Sequence, residues 1–271
     1  MTSPERSHTC WDLAVAVAVH HAGGGKLARQ PVNHEIFQVS TMSALVEGIL
    51  DGDTTYDEVM RHGDFGVGTF NALDGEMAAF DGDFFHLFGD GSVAPVSPDE
   101  LTPFCAVTFF SGDAEIDITE STSRDDLLAL VDGTVPSENL FYAIRIDGMF
   151  SHVTTRTVVR QSKPYPSLLR ASGNQVENRL DQVSGTMVGF RSPQYVQGMT
   201  VPGYHLHFVD SERRRGGHVL DFAIESGVAL IDRDVDIHLE LPTSEQFLRT
   251  PMNADDVEQQ IEAAENVSHS G

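Results

Sequence analysis

The chain has 271 residues, 40% of them hydrophobic, which is enough for a sizeable core and too apolar for a disordered segment. Seventeen basic residues face forty-one acidic ones, a formal net charge of −24, and that balance excludes a nucleic-acid partner, which would require a basic face. No apolar run approaches ~18 residues, so no membrane-spanning helix is expected. The two cysteines, Cys10 and Cys105, are too few for a disulfide framework and point to a reducing cytoplasm.

In chain order, residues 1–33 show no clear period, and "LAVAVAVHHAGGG" is only leader-like, so a flexible extension is expected there. "STMSALVEGILDG" predicts a short helix capped by Ser40 or Thr41, and "TTYDEVMRHG" a second, closed by glycine. "FGVGTFNALDGEMAAFDGDFFHLF" switches to strands punctuated by Asp-Gly turns, and "FCAVTFF" reads as a buried strand. "STSRDDLLALVDG" predicts a capped helix with acids in its first turn. "NLFYAIRIDGMFSHVTTRTVV" predicts a hairpin turned at Asp147-Gly148. "KPYPSLLRASGNQVENRL" breaks the pattern with two prolines and then reads as helical, and "GTMVGFRSPQYVQGMTVPGYHLHF" returns to strands. "NADDVEQQIEAAEN" predicts a closing helix capped by Asn253. Strands and helices without strict βαβ alternation predict an α+β fold with mixed sheets. "VGTFNAL" and "SGTMVGF" echo one another weakly, as an internal duplication would.

The acids are spread along the whole chain, and Lys26 and Lys163 are the only lysines. Such a surface resembles that of proteins from salt-rich cytoplasm. The Debye length falls from ~30 Å at 0.01 M salt to ~3 Å at 1 M, so salt screens self-repulsion that the folded state concentrates. The thermal midpoint is therefore expected to climb from dilute buffer to molar KCl. A flat or falling midpoint in a scan across that range would end the high-salt reading.

"YHLHFVDSERRRGGHVLDF", residues 204–222, carries three histidines in strand-like sequence. Alternate strand residues share a face, so His205 and His207 point one way while Tyr204, Leu206 and Phe208 fill the other. A hairpin symmetric about residues 212 and 213 puts His218 directly opposite His207, with Cβ atoms ~5 Å apart. Three imidazoles with an open fourth position are the catalytic arrangement of zinc, and Fe, Ni or Cu suit the same ligands. The residues alone leave open a three-histidine zinc lyase or hydratase that activates water, and a non-catalytic metal-stabilised binding module.

Together with "GDFGVGTFNALDGEM", "FYAIRIDGMFSHVTTR" and "QSKPYPSLL", the histidine segment resembles the alpha-acetolactate decarboxylase family, in the family's motif order and over nearly all the chain after the extension. The resemblance implies two similar α/β domains, taken as residues 34–162 and 163–271 after the extension at 1–33, with the metal on a β-hairpin of the second. It implies a homodimer acting on one small molecule, converting (S)-2-acetolactate to (R)-acetoin and carbon dioxide. It also implies Zn2+ on His205, His207 and His218, catalytic Glu76, Arg156 and Glu265, and Thr69 as a substrate contact. In the C-terminal helix Glu265 follows Ile261 by one turn on the inward side, and Glu258 is its rival. Arg145 is the rival of Arg156, and Asp74 reads as turn chemistry.

The chemistry accounts for these groups. 2-Acetolactate is a β-keto acid, and loss of carbon dioxide leaves an enediolate that a Lewis acid at the ketone and hydroxyl oxygens can stabilise. An arginine can orient the carboxylate by a forked pair of hydrogen bonds. A glutamic acid can then protonate C2, and neither thiamine nor pyridoxal is needed.

Overall fold

In the computed structural model, which describes residues 34–173, 175–252 and 260–261, period-two alternation sets the architecture. The strands are β1 Glu35–Val39, β2 Thr54–Thr55, β3 Phe65–Thr69, β4 Glu76–Phe80, β5 Asp83–Leu87, β6 Val93–Pro95, β7 Leu101–Thr102 and β8 Cys105–Thr108. They continue with β9 Ala114–Ile118, β10 Thr122–Ser123, β11 Phe141–Thr157, β12 Val176–Ser192, β13 Gly203–Asp210, β14 Gly216–Asp234 and β15 Asp236–Glu240. The helices are α1 Met42–Val46, α2 Tyr56–Val59, α3 Arg124–Thr134, α4 Leu168–Ser172 and α5 Glu245–Arg249, and none is long enough to cross a membrane. Thr41, Thr55 and Ser123 cap α1, α2 and α3, each accepting from a backbone N–H three residues on.

A first sheet runs in the order β15-β1-β8-β3-β4-β5-β6, antiparallel except for the parallel β1–β15 pair. A second sheet runs β10-β14-β11-β12-β13, and β13 returns to pair with β14. Alternation assigns each face. Met77 and Ala79 of β4 pack with Tyr56 and Val59 of α2. Ala78 and Phe80 face the other way and meet Val188, Phe190 and Val209 of the second sheet. The far face of that sheet, with Ile144, Ile146, Met187, Leu206 and Phe208, packs on Leu127, Leu128 and Val131 of α3. The layers are thus helix, sheet, sheet, helix, as an α+β fold with mixed sheets requires.

The hairpin predicted at Asp147-Gly148 does not form. Strand β11 runs straight through and pairs with β12 on one side and β14 on the other. Gly148 lies opposite both Gly185 and Gly227, and a Cβ on it would sit 2.5 Å from the Ser226 carbonyl oxygen. Glycine here permits close strand approach rather than a turn. Asp147 is tied down by Arg145 Nε at 2.6 Å and Thr186 Oγ1 at 2.7 Å. By contrast Asp81 and Gly82, with φ of 57° and 80°, do turn β4 into β5.

The second half of "KPYPSLLRASGNQVENRL" is also not helical. α4 stops at Ser172, and Val176–Leu180 pairs with Val153–Thr157, so strand pairing overrides the local preference. At the C-terminus Gln260 and Ile261 are helical, and Ile261 is buried among Met42, Leu45 and Leu168; Asn253 lies outside the described residues. β11 and β12 flank residue 162 and pair along their length, and β15 joins β1. Of the two echoing segments, Gly68-Thr69 ends a five-residue strand and Gly185-Thr186 lies inside a 17-residue one.

Candidate active site

The hairpin of β13 and β14 has the register expected from its symmetry, with His207 paired to His218. Its turn is fixed locally. Asp210 Oδ1 accepts from the backbone N–H of Arg214 and Arg215 at 2.7 and 3.1 Å. Arg213, at φ 56°, lays its guanidinium 4.2 Å from the centre of the Phe80 ring and ties the turn to the first sheet.

The rings of His205, His207 and His218 lie 5.0, 5.1 and 5.4 Å apart, and each offers a nitrogen within 4.8 Å of the others. His207 is fully buried, with Nδ1 2.7 Å from the Met77 carbonyl oxygen. A carbonyl only accepts, so Nδ1 carries the hydrogen, and it is Nε2 that is left to present a lone pair to an ion when the ring is neutral. Burial, with a further push from the Arg156 charge, lowers the His205 pKa to about 3, so its ring is neutral. Neutral imidazoles are the donors a divalent ion such as zinc needs, and the residues fit such an ion.

The other predicted groups converge on the same cleft. Thr69, Glu76, Arg156, His205 and His218 all line it, and Met42, Leu45, Leu73, Phe104, Val158 and Leu168 supply apolar walls. Arg156 is 3% exposed and lies across from His218 in the β11–β14 ladder, and its Nη1 donates to Gln175 Oε1 at 3.1 Å. Glu76 opens β4 opposite Thr69, and its Oε2 is 3.9 Å from His207 Nε2. That is too far for a hydrogen bond and close enough for both atoms to reach one bound group. Thr69 Oγ1 donates to the Gly75 carbonyl at 2.7 Å, so toward the cleft the hydroxyl can only accept.

Arg145 is elsewhere, engaged by Asp147 and by Asp81 at 2.6 Å. Asp74 accepts from Arg160 at 2.6 Å. Glu265 and its rival Glu258 lie outside the described residues. Gln175 and the Met77 carbonyl were not foreseen. A glutamine after a proline-rich break carries no signal in one sequence, and a backbone acceptor carries none at all.

A cluster of three imidazoles, two of them buried, facing an arginine and a carboxylate in an apolar-walled cleft, defines a candidate metalloenzyme for a small anionic substrate. Residues 36–254 match the family model described as alpha-acetolactate decarboxylase. The chain is 47% identical to the alpha-acetolactate decarboxylase of Methylococcus capsulatus over 234 residues, 86% of this chain and 90% of that one. It is 44% identical to that of Bacillus subtilis over 87% of this chain and 92% of that one. The crystal structure of alpha-acetolactate decarboxylase from Bacillus subtilis superposes with a TM-score of 0.84 at 43% identity, over 86% of this chain and all of that one. The chain belongs to the alpha-acetolactate decarboxylase family, and it is a carboxy-lyase with a small-molecule substrate.

Proposed function

We propose that the enzyme converts (S)-2-acetolactate to (R)-acetoin and carbon dioxide with one zinc ion on His205, His207 and His218. The observation that carries this reading is the convergence of three imidazole nitrogens within 4.8 Å of one another beside Arg156 and Glu76. An ion held there would supply Lewis acidity toward the substrate's oxygens, taking up charge as carbon dioxide leaves.

Arg156 binds the substrate carboxylate with its planar fork of donors, and Gln175 holds one arm in place. The carboxylate has to leave, so this contact orients more than it tightens. Thr69 accepts from the substrate hydroxyl. Leu73, Phe104 and Leu168 receive the methyl groups and keep water away from C2. Glu76 holds the proton that C2 receives on one face, and Glu265 is the partner acid.

The test is an assay of the purified protein with racemic 2-acetolactate in high salt, with metal analysis. Acetoin of one hand and close to one zinc per chain are expected. Carbon dioxide hydration or ester hydrolysis without acetoin would assign the cleft to a water-activating lyase instead. Arg156→Lys is expected to lower kcat/KM on the order of 10²-fold, because an ammonium cannot reproduce the fork and misplaces the carboxylate. Unchanged kinetics in that variant would remove Arg156 from the carboxylate.

A further inference from the structure

A second cluster of metal-ligating side chains shares no residue with the cleft. It lies where the chain crosses from the second sheet to the first, between Asp234 at the end of β14 and Asp236 at the start of β15. His34, just before β1, accepts from the backbone N–H of Val235 and Asp236 through its carbonyl, which places its ring at this crossing. His34, Asp113 and Asp232 each offer one ligand atom, all within 4.8 Å of one another.

Three further observations distinguish this cluster from a solvated acidic patch. His34 Nδ1 and Asp232 Oδ1 are 3.6 Å apart, and His34 Nδ1, though buried, has no hydrogen-bond partner among the described residues. The gap is too long for a hydrogen bond. It is a few tenths of an ångström beyond the ~3.0–3.4 Å that separates two ligand atoms each ~2.1 Å from one divalent ion in octahedral or tetrahedral geometry. Asp232 is 1% exposed, and its Oδ2 is fixed at 2.6 Å by the backbone N–H of Ser111.

The third observation is Asp234. It stands two residues along β14 from Asp232, hence on the same face of the strand, and it is fully buried. Thr108 Oγ1 donates to its Oδ1 at 3.0 Å, while its Oδ2 has no partner among the described residues. Its electrostatic neighbours are Asp232 and Asp113, which repel it. Two buried carboxylates on one strand face, Asp232 and Asp234, are unfavourable when both are charged, and a divalent ion would relieve that conflict.

We propose that His34, Asp113 and Asp232, backed by Asp234, bind a second divalent cation at the crossing between the sheets. One nitrogen among oxygens favours an ion that accepts both, and the majority of carboxylates favours Mn2+ over softer ions. The ion ties the entry of β1 to the end of β14 and the loop at 111–113. Its role is to fasten the crossing, and decarboxylation does not pass through it.

The probe is Mn2+ added to the zinc-loaded enzyme, with free Mn2+ read by electron paramagnetic resonance and the thermal midpoint followed alongside. Mn2+ stands lowest in the divalent affinity order and does not displace zinc from three imidazoles. One saturable Mn2+ per chain is expected, with the midpoint up by about 5–10 °C at 100-fold excess over Kd. Asp113→Asn and His34→Ala, both at accessible positions, are expected to lose the Mn2+ and the midpoint shift while keeping zinc and decarboxylation. His207→Ala, which disrupts the cleft, is expected to keep the Mn2+ site. The proposal fails if the wild type shows no saturable Mn2+ binding. It fails equally if Asp113→Asn and His34→Ala bind Mn2+ unchanged, or if His207→Ala abolishes the binding.

Discussion

Replacing His205, His207 or His218 by alanine is expected to remove most of the bound metal and nearly all acetoin formation. The three rings each offer one ligand atom in a cluster only 4.8 Å across. Losing a residue that merely orients a ligand costs ~10–100-fold in metal affinity, and losing the ligand itself removes one of three protein bonds, so the effect should exceed that range. The three variants are not equivalent for the fold. His207→Ala leaves the buried Met77 carbonyl without its donor, which costs about 1–3 kcal/mol, and its thermal midpoint should fall most. His205 is only partly buried, so His205→Ala should keep its midpoint and lose its metal, which separates ligand loss from misfolding. The measurements are metal content by elemental analysis and midpoint by calorimetry on the same preparations. Stoichiometric zinc retained by all three variants would remove the site.

What the sequence made legible follows from how local each signal is. The three histidines were readable because strand periodicity and a turn of known length fix which residues face each other, and His207 and His218 do pair. The cap at Thr41 and the capped start of the helix at Arg124–Thr134 were readable because capping is decided within four residues. Asp147-Gly148 misled because that dipeptide signals a hairpin turn, while here its glycine serves a crossing of three strands that only the whole sheet reveals. The same gap hid the acid cluster. In "LIDRDVDIHLE" aspartates alternate with other residues as on a half-exposed strand, yet Asp232 and Asp234 are buried where β14 hands over to β15. Arg156 and Arg145 both lie on β11 and look alike in sequence. One is brought to the cleft and the other to Asp81 and Asp147, a difference made by the bulges along β11 and by strands distant in the chain.

Glu76→Gln is expected to keep the metal and the fold and to lose ~10²–10⁴-fold in kcat, the range that a positioned proton donor contributes. The amide has nearly the carboxyl group's shape and can still hydrogen-bond, but it cannot hold and release the proton that C2 needs. The position suits the role. Glu76 begins β4 in the rigid first sheet, its Cα fixed in register with Thr69 and Leu87, and its Oε2 is 3.9 Å from His207 Nε2 at the edge of the histidine cluster. Under the proposed reading, substrate would be held on the histidine side of the cleft and Glu76 would approach C2 from the β4 side. KM should change less than kcat, because proton delivery belongs to the transition state and not to ground-state binding. Measuring kcat, zinc content and the chirality of the acetoin on one preparation separates the possibilities. A slow variant with full zinc supports proton delivery by Glu76. A slow variant that has lost zinc would make Glu76 a support of the metal instead. Wild-type kcat would move the proton donor elsewhere, and Glu265→Gln, assayed in parallel, would then be the variant that slows.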